Sequence, residues 1–210
     1  MKNIAVLLCA ITVSALCLAQ DTTENEWISL FDGTSLDGWK YSEREGTFEV
    51  KDSVIVVHGK RSHLYYVGRD GDASWTDFEF KADVKTEPGS NSGIYFHTEF
   101  QKDGWPAKGY EVQVNNSHSD WRRTGSLYNV VDLRESAAQD NEWFTMHITV
   151  QGKRIIVRVN DELVINYIEP EDVNYDGMPE RKISSGTFCL QGHDPKSIVY
   201  FRNIKVKALP

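Results

Sequence analysis

Hydrophobic and polar residues alternate with period two along much of this chain, the pattern of strands buried on one face. In Asn91-Ser92-Gly93-Ile94-Tyr95-Phe96-His97-Thr98-Glu99, alternation puts Ile94, Phe96 and Thr98 on one face and Tyr95, His97 and Glu99 on the other. In Gly109–Asn115, Tyr110, Val112 and Val114 stand opposite Glu111, Gln113 and Asn115. The strand-like runs are Phe48–Val50, Val54–His58, Asp77–Thr86, Gly93–Phe100, Gly109–Asn115, Thr124–Val130, Phe144–Gln151, Arg154–Asn160, Glu162–Tyr167, Gly186–Gln191 and Ile198–Lys207. Gly, Asp, Asn and Pro turns separate them, and Asn160-Asp161 is a hairpin turn signal. No segment sustains a helical period. The pattern predicts an all-β protein, an antiparallel sandwich or jelly roll.

The polar faces of the two clearest strands are not ordinary solvent faces. They carry a base, two acids, two amides and a tyrosine ring, with no Lys or Arg. Such a row can grip a neutral polyhydroxylated ligand. The run Thr187–Gln191 adds Gln191, with His193 just past its end, and alternation aligns Thr124, Ser126 and Tyr128. Amides and hydroxyls both donate and accept hydrogen bonds, as sugar hydroxyls require. Trp105, Trp121 and Tyr128 are candidate stacking platforms, whereas Trp39, Trp75 and Trp143 read as core or loop anchors. The polar stretches Asp70–Trp75 and Glu169–Lys182 are candidate loops framing a site.

Charge and the N-terminus narrow the classes. A net charge of -8 with no basic block argues against nucleic acid or anionic membranes as partners. Residues 1–19 read as a signal peptide: Lys2, an apolar run from Ile4 to Leu18, then Ala19. That run is short for a membrane span. Residues 20–26 read as a polar leader and 27–210 as one jelly-roll domain. The expected location is periplasmic or secreted. Lipidation at Cys17 ranks second, because the bulky Leu16 precedes it. Cleavage would leave Cys189 alone, so no internal disulfide is expected, and Cys189 reads as a packed residue.

Several short motifs occur in order: Phe31-Asp32-Gly33-Thr34-Ser35-Leu36-Asp37-Gly38-Trp39, Asn91-Ser92-Gly93-Ile94, Gly109-Tyr110-Glu111-Val112-Gln113, Thr124-Gly125-Ser126-Leu127-Tyr128, Leu190-Gln191-Gly192-His193 and Phe201-Arg202-Asn203-Ile204. Together they resemble the 3-keto-disaccharide hydrolase family, whose fold is a concanavalin A-like jelly roll. The resemblance implies cleavage of a 3-keto-glycoside. A ketone at C3 acidifies the C2 hydrogen, one base removes it, the C1 substituent leaves, and water adds to the enone. It also implies Glu111 or His97 as base, and the other or His193 as acid. Asn91, Tyr95, Glu99, Gln113, Tyr128 and Gln191 would bind the sugar.

Two other readings stand beside this one. A carbohydrate-binding module on the same scaffold needs neither base nor acid. A conventional glycosidase needs two carboxylates. The strand of Glu111 continues with Gln113 and Asn115, so only Glu99 is a candidate partner. The second reading of His97 is a satisfied strand histidine, and that of Glu111 is one end of an ion pair with Arg122 or Arg123. No bound cofactor is predicted, and no dinucleotide-binding signature occurs, so a separate oxidoreductase would have to make the ketone. Asp172, Asn174 and Asp176 space oxygens like the start of a calcium loop, but Ile183 stands where the closing acid belongs. An acidic surface turn is the first reading there, with Ca2+ second. His193-Asp194 and His97-Thr98-Glu99 lack diagnostic metal spacing.

Overall fold

The computed structural model describes residues 26–210 except Asp176. The expected signal peptide, Cys9, Cys17 and nearly all of the polar leader lie outside the described residues. Thirteen strands follow in order: β1 (Ile28–Ser29), β2 (Trp39–Tyr41), β3 (Phe48–Lys51), β4 (Val54–His58), β5 (Ser62–Tyr66), β6 (Phe78–Thr86), β7 (Ser92–Thr98), β8 (Tyr110–Val114), β9 (Phe144–Gln151), β10 (Arg154–Val159), β11 (Glu162–Ile168), β12 (Thr187–Gly192) and β13 (Ile198–Ala208). They pair antiparallel into two sheets. One runs β11-β10-β9-β6-β13-β4-β3, with β1 also on β13, and the other runs β2-β5-β12-β7-β8. No helix among the described residues is long and apolar enough to cross a membrane.

Alternation builds the core. On β6, Phe78, Phe80, Ala82 and Val84 point inward, and on β9 Phe144, Met146, Ile148 and Val150 do the same. They meet Leu64, Ile94, Phe96, Val112, Phe188 and Leu190 of the second sheet in one cluster. Asn160 and Asp161, both at positive φ (50° and 68°), form the expected hairpin turn between β10 and β11. Trp39 is core, as anticipated, and Trp75 packs against it.

The two sheets differ in one respect that positions the site. Along β6, β9 and β10 of the larger sheet, buried residues alternate with half-exposed ones on the outer face. In the smaller sheet every residue of β7, β8 and β12 is buried. Its polar face is therefore covered by loops rather than bathed in solvent.

Two expected strands come out differently. The run Gly93–Phe100 ends early, because β7 bulges: Thr98 pairs with Thr187 and Tyr95 with Cys189, so Phe96 and His97 oppose Phe188 alone. His97 takes φ 55° there. The run Thr124–Val130 is not a regular strand. Gly125, at φ 90°, breaks the alternation. The segment still follows β8 through Thr124 N–H to Asn115 O, Gln113 N–H to Ser126 O and Tyr128 N–H to Glu111 O, each 2.9 Å. Strands β1, β2 and β5 were not legible as strands.

Candidate active site

Strand register assembles the site. On the face turned away from the core, β8 offers Glu111 and Gln113, β7 offers Tyr95 beside Glu111, and β12 offers Gln191. Gly93 pairs with Gln113 in that lattice. A Cβ there would lie 2.3 Å from Glu111 Oε1, so the missing side chain is the space the carboxylate occupies. The residues form the floor of a cavity of ≈ 230 Å³, which Asn91, Trp105, Asp120, Tyr128, Arg181 and His193 help to wall.

Glu111 is the centre of the hydrogen bonding. The Tyr95 hydroxyl donates to its Oε2 at 2.8 Å, and Gln191 Nε2 donates to its Oε1 at 2.9 Å. With its amide nitrogen turned toward them, Gln113 donates to Ser92 O at 3.2 Å and Glu111 Oε1 at 3.3 Å. Burial pushes the Glu111 carboxyl up to about 7, against the pull of the Tyr95 hydrogen bond, the Arg181 charge and the Gln191 amide. Such a group holds a proton or releases it near neutral pH, as a general base must. It is not an ion-pair partner of Arg122 or Arg123. Arg122 pairs with Asp120 and Asp132, and Arg123 bonds to backbone carbonyls and Asn115.

Arg181, buried, reaches the wall of the cavity from the Glu169–Lys182 stretch. Its Nη1 donates to Tyr128 O at 2.9 Å. The stretch is tied down by Glu169, whose Oε2 accepts the Tyr110 hydroxyl and the Ile183 N–H. Sequence reading flagged this loop as a frame but not the arginine. Asp120 also lines the cavity, with one oxygen taking the Arg122 N–H at 2.9 Å and a guanidinium N–H at 3.3 Å.

His193 lines the cavity and donates Nδ1–H to Asp194 Oδ2 at 2.7 Å. That bond fixes the tautomer, leaving Nε2 available. Burial works to raise the Asp194 carboxyl, yet the His193 bond, the Lys196 N–H and the Ser197 hydroxyl hold it at about 2. His118, His193 and Asp194 offer ligand atoms within 4.8 Å of one another. The donor set does not suit a cation. Asp194 Oδ2 already accepts two hydrogen bonds. His118 Nδ1 accepts the Asp120 N–H at 3.0 Å, so its Nε2 carries the proton in the neutral ring. The cluster reads as a hydrogen-bond network that orients His193. Asp172 and Asn174 sit exposed in a turn, while Asp176 lies outside the described residues.

Four sequence expectations need correction. His97 does not stand beside Glu111. The bulge turns its ring toward Phe78 and Phe96, where Nε2–H donates to Thr76 O at 2.8 Å and Nδ1 accepts the Ser184 N–H at 3.2 Å. Burial lowers its basicity, and both nitrogens are committed. Glu99, past the bulge, has a side chain 72% exposed and paired with Lys108, so it is neither a sugar ligand of this cavity nor a second carboxylate for Glu111. Of the aligned trio, Thr124 and Ser126 bond to nearby backbone and only Tyr128 reaches the cavity. Trp121 stacks on Arg122 and Arg134 instead of lining it. Asn91, Tyr95, Gln113, Gln191, Trp105 and His193 do line it.

Residues 26–207 match the family model described as "3-keto-alpha-glucoside-1,2-lyase-like domain". Solved structures share the fold. One, from Parabacteroides distasonis and provisionally named a glycosyl hydrolase, is 24% identical over 88% of this chain and 94% of its own, with a TM-score of 0.74. The carbohydrate-binding module CBM66 from Bacillus subtilis is 13% identical over 88% and 97%, at TM-score 0.52. A non-specific endo-β-1,3(4)-glucanase, SCLam, is 14% identical over 86% and 89%, at TM-score 0.54. A search of the curated proteins found no match.

Proposed function

From the premise that this chain belongs to the 3-keto-alpha-glucoside-1,2-lyase-like family, and so among carbohydrate-active proteins, we propose that it cleaves 3-keto-glycosides by elimination at Glu111. The observation that carries the reading is a buried carboxylate on the cavity floor, held by Tyr95 and Gln191 and raised to about 7. That is the equipment for abstracting an acidified C–H.

Glu111 takes the proton from C2, and the C2–H electron pair forms the C1–C2 or C2–C3 π bond of the enone–enolate system. Charge collects on the C3 oxygen, where the Arg181 guanidinium and the amide donors stabilise it. The C1–O bond breaks, and His193, held by Asp194 and protonated on both nitrogens, hands its Nε2 proton to the departing oxygen. Addition of water at C1, with the C2 proton returned by Glu111, gives the free keto sugar. Asn91, Tyr95, Gln113, Tyr128 and Gln191 bind the ring. A separate oxidoreductase supplies the ketone, and the N-terminal 19 residues direct export to the periplasm or medium.

A conventional two-carboxylate mechanism finds weaker support, since Asp120 is engaged by Arg122. The test is release of the alcohol from 3-keto-glucosides and from their unoxidised parents. Release from the keto form alone is expected. Release from the parent would restore hydrolysis by two carboxylates. Sugar binding without release from either would leave a binding module.

A further inference from the structure

The smaller sheet carries more polar chemistry than the Glu111 cavity uses. His63, on β5, is fully buried, and neither ring nitrogen has a hydrogen-bond partner. Tyr65, two residues on and so on the same face, is equally buried with an unpartnered hydroxyl. Register places His63 directly across from Gln191, whose Oε1 is also unpartnered. The three form a continuous patch that begins at the cavity and runs away from Glu111. Buried polar groups are nearly always paired. A polar ligand would account for three unpaired ones in a row.

Aromatic rings from the segment between β7 and β8 cover the patch. Trp105 stands edge-on over His63 at 5.4 Å between centroids, and Phe100 over Tyr65 at 5.5 Å. Trp105 is itself 44% exposed. Its loop is latched at Gly104, whose N–H donates to Glu43 Oε1 at 3.0 Å, and Glu43 pairs with Arg61 at 2.6 Å. The Arg61 guanidinium lies 5.3 Å from the Trp105 ring. At its Trp105 end the cover is held by one backbone hydrogen bond, a cation–π contact and edge contacts with His63 and His193, while Phe100 packs against the buried Tyr65, Tyr95 and Cys189.

We infer that His63, Tyr65 and the Gln191 carbonyl form a second sugar subsite, uncovered when the segment bearing Phe100 and Trp105 swings aside, that receives the leaving-group sugar of a disaccharide. The inference rests on the reading of Glu111 above. From β8 to β5 is three strand spacings, about 14 Å at roughly 4.8 Å each, farther than one ring reaches. The cavity at Glu111, ≈ 230 Å³, is smaller than the ~300–1,000 Å³ usual for ligand pockets and suits a single ring. His193, 5.7 Å from Trp105, lies between the two stations, where the acid for the bond joining two sugars belongs. Imidazole and phenol each donate and accept, and the amide oxygen accepts, which matches a run of neighbouring hydroxyls. The freed indole offers a flat face for stacking.

The test compares 3-keto-maltose, oxidised on its non-reducing ring, with methyl 3-keto-α-glucoside. His63→Ala is expected to raise KM for the disaccharide about tenfold more than for the methyl glucoside, the loss of a hydrogen bond or two. Tyr65→Phe, which deletes one oxygen and keeps the packing, is expected to act in the same direction. Calorimetric binding of unoxidised maltose and methyl α-glucoside to wild type and Tyr65→Phe gives a readout free of turnover. Equal effects on both substrates, or none, with normal turnover would overturn the subsite and leave the Glu111 reading intact. Maltose binding that depends on His63 and Tyr65, without turnover of either keto substrate, would uphold the subsite and overturn that reading.

Discussion

Glu111 concentrates the chemistry in one side chain, and its neighbours show how a strand prepares it. Isolation from water makes the proton hard to lose, and Tyr95, Gln191 and Arg181 bring its release back near neutrality. Glu111→Gln keeps shape and hydrogen-bonding capacity but cannot take a proton. Its kcat on a 3-keto-glucoside is expected to fall at least about a thousandfold, as for loss of a general base plus its charge. A base must be ionised to act, so kcat/KM should rise as pH climbs through about 7. A profile falling through that pH would make Glu111 the acid instead. Gly93→Ala tests the space rather than the charge. The added methyl would overlap Oε1 and push the carboxylate off its donors, at a cost of about 1–3 kcal/mol in folding. A larger drop in kcat than in thermal stability is expected, and wild-type kcat would refute the role given to that gap.

At the scale of elements, a bulge and a loop decide which residues belong to the site. Period-two counting is sound as far as Phe96 and fails at His97, because Phe96 and His97 share one partner. Beyond them the parity is inverted, which is why His97 leaves the polar row and Glu99 reaches solvent. Gly109 shows the same cause from the other side. At φ 81°, it faces the bulge, and a Cβ there would lie 2.0 Å from Phe96 O. His97→Ala should therefore cost stability, about 1–3 kcal/mol for two lost buried hydrogen bonds, while kcat of the folded enzyme moves less than about threefold. A collapse of kcat with unchanged melting temperature would return His97 to the catalytic set. The Glu169–Lys182 loop acts in the opposite sense, bringing Arg181 to a cavity whose strands bear no cation. Arg181→Met is expected to lower kcat about a hundredfold and move the rising limb of the pH profile above 7, since its charge favours the carboxylate. An unmoved limb would show that the charge does not reach Glu111.

Across the whole molecule, burial of one carboxyl should appear in the pH dependence of folding. Glu111 binds its proton more tightly folded, at about 7, than its ordinary value of 4.5. Its contribution is fully present below about 4.5 and is lost as pH rises through about 7, a change on the order of 3 kcal/mol. Melting curves from pH 5 to 8 should show Glu111→Gln gaining on wild type as pH rises, and a constant difference would sink the idea. Composition and periodicity alone determined that the chain is all-β, that Ile94, Phe96, Val112 and Val114 face a core, and that Glu111, Gln113, Tyr95 and Gln191 share a polar face, because a strand's side chains alternate whatever lies around them. The motifs in order carried the family. Only the tertiary structure decided which polar residues meet. The bulge removed His97, Gly93 opened room for Glu111, and register set His63 across from Gln191. The loops flanking β8 delivered Trp105 and Asp120, and a loop distant in sequence delivered Arg181. Those outcomes depend on pairing between strands far apart along the chain, which the local pattern of residues does not encode.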